Sequence, residues 1–224
     1  MCDDMSPNST PLTIIVAACL KNGIGKDGAL PWPMLKKEMA YFARVTKRVP
    51  HQSNTTTAAP RNVVIMGRKT WDSIPPKFRP LKDRTNIVIS TKSRAEIGPL
   101  PEDVVVTTDI ASGLTTLQAL VQERNLPPIG RAFIIGGSSI YEQALRLPQT
   151  TAILLTRINK DYDCDTVFPV ELPGQDKAQS DGTWQRSSLQ TLRDFTGEDI
   201  PDGSISEQAS DGPVEFEYQL YERR

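Results

Sequence analysis

The pattern that most constrains the fold is a series of short apolar runs, rich in β-branched residues, that alternate with segments of helical periodicity. The first run covers residues 12–19, and similar runs follow at 62–66, 85–90, 132–135 and 152–158. Runs of this length and composition are typical of strands that are buried on both faces of a sheet. Five such strands therefore form the framework of the predicted fold.

The segments between these runs predict helices. Apolar residues recur at helical spacing around 114–121 and 141–145, and a further helix is predicted to open at Pro33. Strands that alternate with helices predict an α/β fold with a central, mainly parallel twisted sheet and helices on both faces. Residues 214–220 alternate strictly between apolar and polar, which predicts an antiparallel C-terminal edge strand.

The length of 224 residues favours one domain that spans 1–224. We expect residues 1–10 to be flexible. Three polar segments, at 50–60, 173–182 and 197–212, are predicted to be surface-loop insertions. Binding loops remain an alternative for these segments, but peripheral insertions are favoured because loops are loosely constrained.

Charge and cysteine content exclude several classes of protein. The net charge is −1, so nothing in the overall balance favours a nucleic acid or an anionic membrane as partner. Three cysteines and a single histidine predict neither a disulfide framework nor a metal site. The first ten residues contain no Lys or Arg and fit no targeting segment, and the apolar stretch 14–20 is too short to span a bilayer. We therefore expect a cytoplasmic protein without a metal.

A glycine pattern at residues 23–28 matches the GxGxxG fingerprint of dinucleotide-binding proteins only formally. That fingerprint must open a helix whose N-terminus receives the pyrophosphate. Here Pro31, Trp32 and Pro33 follow and favour an extended loop. A Rossmann site at this position is therefore disfavoured.

Glu38 lies on the apolar side of the helix predicted to open at Pro33. It falls within a stripe formed by Leu35, Met39, Phe42 and Val45. A carboxylate on an apolar face is partly desolvated, which raises its pKa and is frequent at functional sites. A rim glutamate that is stabilised by the helix macrodipole explains the position equally well. The helix alone leaves both interpretations open.

Three further features permit anion binding but have ordinary structural explanations. Gly136 and Gly137 separate a predicted buried strand from a helix, which suits either a phosphate site or a simple tight turn. Arg68 and Arg84 each lie beside the end of a predicted strand. Arginine binds carboxylates and phosphates through two hydrogen bonds, although an isolated arginine is usually a solvated surface group.

Taken in order, these segments resemble the dihydrofolate reductase family. The resemblance is carried by Glu38 and by residues 15–18, 23–32, 64–75, 79–84, 135–141 and 155–158, and it extends over about 12–169 and the last strand. Several motifs in one order are far more specific than a single glycine pattern. The resemblance favours the functional interpretation of Glu38 and of the two glycines.

The resemblance implies an oxidoreductase that reduces 7,8-dihydrofolate to 5,6,7,8-tetrahydrofolate by hydride transfer from NADPH. Glu38 would bind the pterin and assist proton delivery to N5, and Arg84 would hold the glutamate tail. A cis peptide would join Gly136 and Gly137. The enzyme would serve tetrahydrofolate biosynthesis and one-carbon metabolism as a monomer, and antifolates such as methotrexate would inhibit it.

The resemblance also assigns the remaining site residues. The catalytic residues are Glu38, Trp32, Leu30 and Tyr141. The substrate-binding residues are Ile15, Val16, Ala17, Glu38, Met39, Phe42, Ile74, Leu81, Arg84, Ile135 and Thr156. The cofactor-binding residues are Ala17, Ile24, Gly28, Gly67, Arg68, Lys69, Thr70, Ser90, Thr91, Lys92, Ile135, Gly136, Gly137, Ser138, Ser139, Ile140 and Tyr141.

The sequence departs from the family pattern at two positions. Met39 stands where vertebrate-like members have phenylalanine, so we expect a softer pocket wall. Thr91 stands where a basic residue often contacts the 2′-phosphate of the cofactor, and Lys92 or Arg94 could supply that charge instead.

Two other functions are alternatives: a reductase of the same fold that acts on riboflavin precursors, and a non-catalytic folate-binding protein. The combination of Trp32, Glu38 and Arg84 disfavours the first, and the presence of both Glu38 and the Gly136-Gly137 turn disfavours the second.

Overall fold

All five apolar runs form β-strands, because their β-branched side chains suit a pleated surface that is covered on both sides. The structure is a computed structural model and describes residues 10–49, 59–124, 126–173 and 183–224. The strands are β1 (Leu12–Ala18), β2 (Gly23–Gly25), β3 (Arg61–Gly67), β4 (Thr85–Ile89), β5 (Val105–Thr107), β6 (Ile129–Gly136), β7 (Thr150–Ile158), β8 (Thr166–Val167), β9 (Trp184–Arg186), β10 (Ile205–Ala209) and β11 (Gly212–Arg223). The helices are α1 (Lys36–Lys47), α2 (Arg68–Ser73), α3 (Arg94–Ile97), α4 (Ile110–Arg124), α5 (Ser138–Arg146) and α6 (Leu189–Thr196).

The first of two compact units contains Thr46–Thr150 and the described residues up to Thr13. Its strands lie in the order β6-β3-β4-β5, and every pair is parallel. Helix α2 packs on β3 and β4, α4 on β4 and β5, and α5 on β6 and β3. Because the carboxyl ends of parallel strands meet at one edge, the segments that follow β3, β4 and β6 are brought to the same edge of this unit.

The second unit contains Ile14–Val45 and Thr151–Arg224. Strand β11 pairs antiparallel with β7 on one side and with β9 and β10 on the other, and β1 follows β7 in the strand order. Strands β2 and β8 form a separate two-stranded sheet. The predicted mainly parallel sheet with an antiparallel C-terminal strand is thus confirmed. Strand β11 stands next to the edge of the sheet, because β9 and β10 cover its outer side.

The prediction that 197–212 form a surface loop was wrong over Ile205–Ala209, which form β10. Alternate side chains of this strand, such as Ser206, are exposed, so the segment is polar and yet extended. The chain turns at Gly212, whose φ of 107° favours glycine, and returns as β11. The other two predicted insertions lie mostly outside the described residues, as do residues 1–9.

Two further differences concern helices. Helix α1 begins at Lys36, three residues after the predicted start at Pro33. Residues 33–35 precede the helix without regular secondary structure. Helix α6 was not predicted, although its ends carry clear signals. The side chain of Ser188 accepts a hydrogen bond from the Thr191 amide, and Gly197 ends the helix in the left-handed conformation. Across the described ranges, no helix has both the length and the apolar composition to cross a membrane.

Candidate active site

Glu38 is a buried carboxyl group in the first turn of α1, and only 8% of its surface is exposed. The hydroxyl of Thr156, on β7, donates a hydrogen bond to Glu38 Oε1 at 3.3 Å. The pKa of Glu38 is raised to about 7: burial is the largest cause, the Thr156 hydrogen bond opposes it, and the charge of Glu207 adds a smaller increase. A carboxyl group with this pKa is partly protonated at neutral pH and can take part in proton transfer.

Two stacked tyrosines lie close enough to Glu38 for its charge to act on them, and both are uncharged. The rings of Tyr41 and Tyr218 lie parallel, with their centroids 3.7 Å apart, and the Tyr218 hydroxyl donates to the carbonyl of Lys37 at 3.4 Å. Burial raises the pKa of both phenols, so they stay neutral at physiological pH. In the β7–β11 ladder Tyr218 stands opposite Thr156, which brings the partner of Glu38 and this aromatic pair together.

The buried face of α1 differs from the predicted stripe. Leu35 and Val45 are buried as predicted, but Tyr41 lies inward with Glu38, whereas Met39 is 44% exposed. The stripe prediction was wrong for Met39, because the spacing of apolar residues fits two adjacent faces and the packing partner selects one.

Several apolar residues of the second unit are exposed near the start of α1. Leu30 is 53% exposed, and Phe42 is half-buried. Trp32 is buried and packs edge-on against Tyr162, with the ring centroids 6.1 Å apart. The exposed side chain of Leu30 and the half-buried side chain of Phe42 are therefore candidates for contact with a ligand.

Arg84 is a buried cation in the first unit, with 6% exposure. Its Nε donates to the carbonyl of Lys82 at 2.9 Å, and its Nη1 donates to the hydroxyl of Thr46 at 2.8 Å. Burial lowers its pKa, but the pKa of a guanidinium is ordinarily so high that the group keeps its charge at neutral pH. The side chain is therefore fixed in one orientation, as binding a carboxylate through two parallel hydrogen bonds requires.

The loop before β4 is held by Asn86, which sequence reasoning missed. Its Nδ2 donates to the carbonyls of Leu81 and Arg84, at 3.0 and 2.9 Å, and its Oδ1 accepts from the Leu81 amide at 2.9 Å. Asn86 is only 2% exposed. One buried amide thus fixes the backbone of two predicted substrate-binding residues.

The turn between β6 and α5 brings backbone close to side chains. The peptide between Gly136 and Gly137 is cis, as expected, and Gly136 has a φ of 117°. A Cβ atom on Gly136 would lie 3.2 Å from the hydroxyl oxygen of Tyr141, and one on Gly137 would lie 3.4 Å from the hydroxyl oxygen of Thr70. Only glycine combines this φ with so little space.

The N-termini of α2 and α5 are built alike. The N-cap residues are Gly67 and Gly137, which have no side chain to accept hydrogen bonds from the first-turn amides. A Cβ atom on Gly67 would lie 3.0 Å from Ile140 Cγ1, so the end of β3 lies against the first turn of α5. Two adjacent helix starts with glycine caps suit the binding of a diphosphate through backbone N–H groups.

Basic and hydroxyl side chains flank these helix starts. Arg68 forms an ion pair with Asp72, with 2.7 Å between Nη1 and Oδ2. Beyond β4, the hydroxyl of buried Ser90 accepts from the Lys92 amide at 3.0 Å. The guanidinium of Arg94 donates to backbone carbonyls of residues 100, 101 and 104, so it is already occupied. Lys92 is therefore favoured over Arg94 as the source of the positive charge that Thr91 does not supply.

The predicted site residues therefore form two groups. Unit 2 contains Ile15, Val16, Ala17, Ile24, Gly28, Leu30, Trp32, Glu38, Met39, Phe42 and Thr156. Unit 1 contains Gly67, Arg68, Lys69, Thr70, Ile74, Leu81, Arg84, Ser90, Thr91, Lys92, Ile135, Gly136, Gly137, Ser138, Ser139, Ile140 and Tyr141.

Comparison with known proteins agrees with this geometry. A family model described as dihydrofolate reductase matches residues 11–187. The dihydrofolate reductase of Pneumocystis carinii is 36% identical over 95% of the chain and 96% of that protein. That of Schizosaccharomyces pombe is 39% identical over 94% of the chain, which spans only 46% of the yeast protein. The solved structure of Schistosoma mansoni dihydrofolate reductase superimposes with a TM-score of 0.69 and 31% identity, covering 96% of this chain and 99% of that one.

Proposed function

The chain belongs to the dihydrofolate reductase family, an oxidoreductase family, and on this premise we propose that it reduces 7,8-dihydrofolate with NADPH, with Glu38 assisting proton delivery to N5. The observation that carries this proposal is the buried Glu38, whose pKa burial raises to about 7. A carboxyl group in this state can bind the amino group and ring N–H of a pterin. It can also pass a proton toward N5 through water.

Each residue proposed to contact the substrate has a physical reason for its role. Leu30, Met39 and Phe42 offer exposed or half-exposed apolar surface that suits the faces of a pterin ring. The guanidinium of Arg84 is held by two hydrogen bonds, which suits it to the α-carboxylate of a glutamate tail. Thr156 would keep Glu38 in one orientation through its hydrogen bond.

The glycine-capped starts of α2 and α5 fit the diphosphate of NADPH, because a Cβ atom at Gly67 or Gly137 would fill the space beside these starts. The cofactor would supply the hydride for pterin C6. The residues of this chain would bind and orient it: Thr70, Ser138 and Ser139 at the diphosphate, and Arg68, Ser90 and Lys92 at the 2′-phosphate. Arg68 would have to share its charge between this phosphate and Asp72.

The direct test of the proposal is the loss of NADPH absorbance in the presence of dihydrofolate. We expect turnover that depends on both compounds, stops with methotrexate, and is much faster with NADPH than with NADH. Turnover without dihydrofolate, or an equal rate with NADH, would contradict the proposed substrate or the proposed 2′-phosphate site.

Arg84→Leu is expected to weaken binding of dihydrofolate and methotrexate by at least about tenfold, since loss of a charge-assisted hydrogen bond costs roughly 1.5–3 kcal/mol. Diaminopyrimidine inhibitors without a glutamate tail should bind with little change, because they offer no carboxylate to Arg84. Fluorescence titration of both ligand classes measures the difference. If both classes weaken equally, Arg84 acts only in maintaining the structure.

We also propose that the protein works as a cytoplasmic monomer. The thiols of Cys19 and Cys164 lie 3.6 Å apart in hydrogen-bond contact and are not joined by a disulfide, which fits a reducing compartment.

A further inference from the structure

The N-terminus of α1 is capped by a residue far away in the sequence. The first amides of a helix have no partner within the helix, and Ser, Thr, Asp or Asn usually supplies one locally. Leu35 stands at this position and has no polar side chain. Instead, the carboxylate of Glu207 on β10 accepts hydrogen bonds from the amides of Lys36 at 2.6 Å and Lys37 at 2.9 Å, one at each oxygen.

Further contacts fasten the same segment of chain to α1. The ammonium group of Lys37 donates to the carbonyl of Ser206 at 2.9 Å, next to the cap. At the far end of the helix Arg44 forms an ion pair with Glu198, with 2.6 Å between Nε and Oε2. Residues 197–209 therefore hold both ends of α1.

Glu207 and Glu38 are two carboxylates at one helix end. The partial positive charge of a helix N-terminus stabilises a nearby carboxylate, and Glu207 occupies that position through two hydrogen bonds. Its charge also repels a charge on Glu38 and raises the pKa of Glu38, in addition to the larger effect of burial. The cap thus influences both the place and the protonation of Glu38.

We propose that Glu207 is a positioning residue for Glu38: its carboxylate caps α1, fixes the first turn that carries Glu38, and places a second negative charge beside the buried carboxyl group. This inference rests on the proposed function of Glu38. It gives residues 205–209, which sequence analysis placed in a peripheral loop, a part in the reaction.

Among the described groups, Glu207 is the one whose charge shifts the pKa of Glu38, so it is the charge to remove in a test. Tyr41 on α1 and Tyr218 on β11 are buried phenols that stay neutral, and Thr156 on β7 does not titrate. Arg44 is more distant along α1 and is paired with Glu198. Removing the charge of Glu207 should therefore lower the pKa of Glu38.

Glu207→Gln tests this inference, with Glu198→Gln as the matched control, because both changes remove one carboxylate that residues 197–209 contribute to α1. Single-turnover hydride transfer with saturating NADPH and dihydrofolate should be followed from pH 5 to 9. Thermal unfolding of each variant reports any loss of stability. A third variant, Glu207→Asp, restores the charge on a shorter side chain.

In the parent we expect the rate to fall as pH rises through the pKa of Glu38. In Glu207→Gln that midpoint should move down by about half a pH unit or more, which lowers the rate at pH 8 about threefold. KM for dihydrofolate should change less than the rate. Glu198→Gln should keep the parent midpoint, and Glu207→Asp should shift it less than Glu207→Gln does.

Each result decides the matter. An unshifted midpoint in Glu207→Gln would overturn the proposal, and so would equal shifts in Glu207→Gln and Glu198→Gln, since a purely structural contact would affect both alike. If Glu207→Gln does not fold, Glu207→Thr, which also removes the charge, takes its place, and a midpoint equal to that of the parent counts against the proposal. A parent without dihydrofolate-dependent turnover would refute the proposed function itself, which the first assay detects separately.

Discussion

Glu38→Gln is expected to lower the rate of dihydrofolate reduction at pH 7 by about 100-fold or more, because loss of a general acid typically costs 10²–10⁴ in rate. Glutamine keeps the shape of the side chain and a partner for Thr156, but it cannot carry the proton. Activity should partly return at low pH, where the substrate can bind already protonated. The pH profile of kcat/KM, measured beside Glu198→Gln, checks this prediction. Near-parental turnover of Glu38→Gln at pH 7 would remove Glu38 from the mechanism.

The same variant should be more stable than the parent at alkaline pH. Burial raises the pKa of Glu38 from 4.5 to about 7, so between these values the folded state binds more protons than the unfolded state. The contribution of Glu38 to the stability of the parent is therefore fully present below pH 4.5 and is lost as the pH rises through 7, by about 3 kcal/mol in total. Glutamine stays neutral and avoids this loss. Urea unfolding at pH 5 and pH 8 should show an advantage for Glu38→Gln at pH 8 only.

Gly136→Ala is expected to lower kcat/KM for NADPH about 100-fold, the effect of misplacing groups that orient a reactant by about 1 Å. At a φ of 117° an alanine is strained, and its Cβ atom would lie 3.2 Å from the hydroxyl oxygen and 3.3 Å from Cζ of Tyr141. Either Tyr141 or the turn before α5 must therefore move. Both are proposed to contact the cofactor.

Gly98→Ala is the matched control for this prediction. Gly98 has a φ of 111°, similar to that of Gly136, but a Cβ atom there would meet nothing within 4 Å. The backbone strain, roughly 1–2 kcal/mol, should lower the stability of both variants, whereas only Gly136→Ala should lose NADPH affinity. Cofactor fluorescence and urea unfolding separate the two effects. Equal NADPH affinity in the two variants would mean that the turn before α5 does not contact the cofactor.

The sequence predicted some helices and strands of the fold and missed others. The strands β1, β3, β4, β6 and β7 were found within a few residues, because a strand buried on both faces needs a continuous apolar run. Strand β10 was missed because its alternate residues are exposed and its composition matches that of a loop. Helix α6 could have been found from Ser188 and Gly197, which mark its ends.

The residues of the candidate site were likewise predicted only in part. The apolar stripe drew attention to Glu38 but left two interpretations open, and the family resemblance favoured the functional one; the burial of Glu38 is confirmed. Tyr41 replaces Met39 on the buried face of α1, a choice that the periodicity could not make. Asn86 forms hydrogen bonds with residues only two to five positions away, yet an asparagine near the start of a strand is too common to indicate this role.

The sequence by itself determined the alternation of strands and helices, the buried carboxylate and the glycine turn, because each depends on residues that are neighbours along the chain. Only the tertiary structure decided which face of α1 is covered and how its first turn is capped. Glu207 lies 171 positions from Lys36, and no local pattern links a glutamate on a polar strand to the amides of a distant helix. That link arises because β10 pairs with β11, and β11 with the strand that carries Thr156.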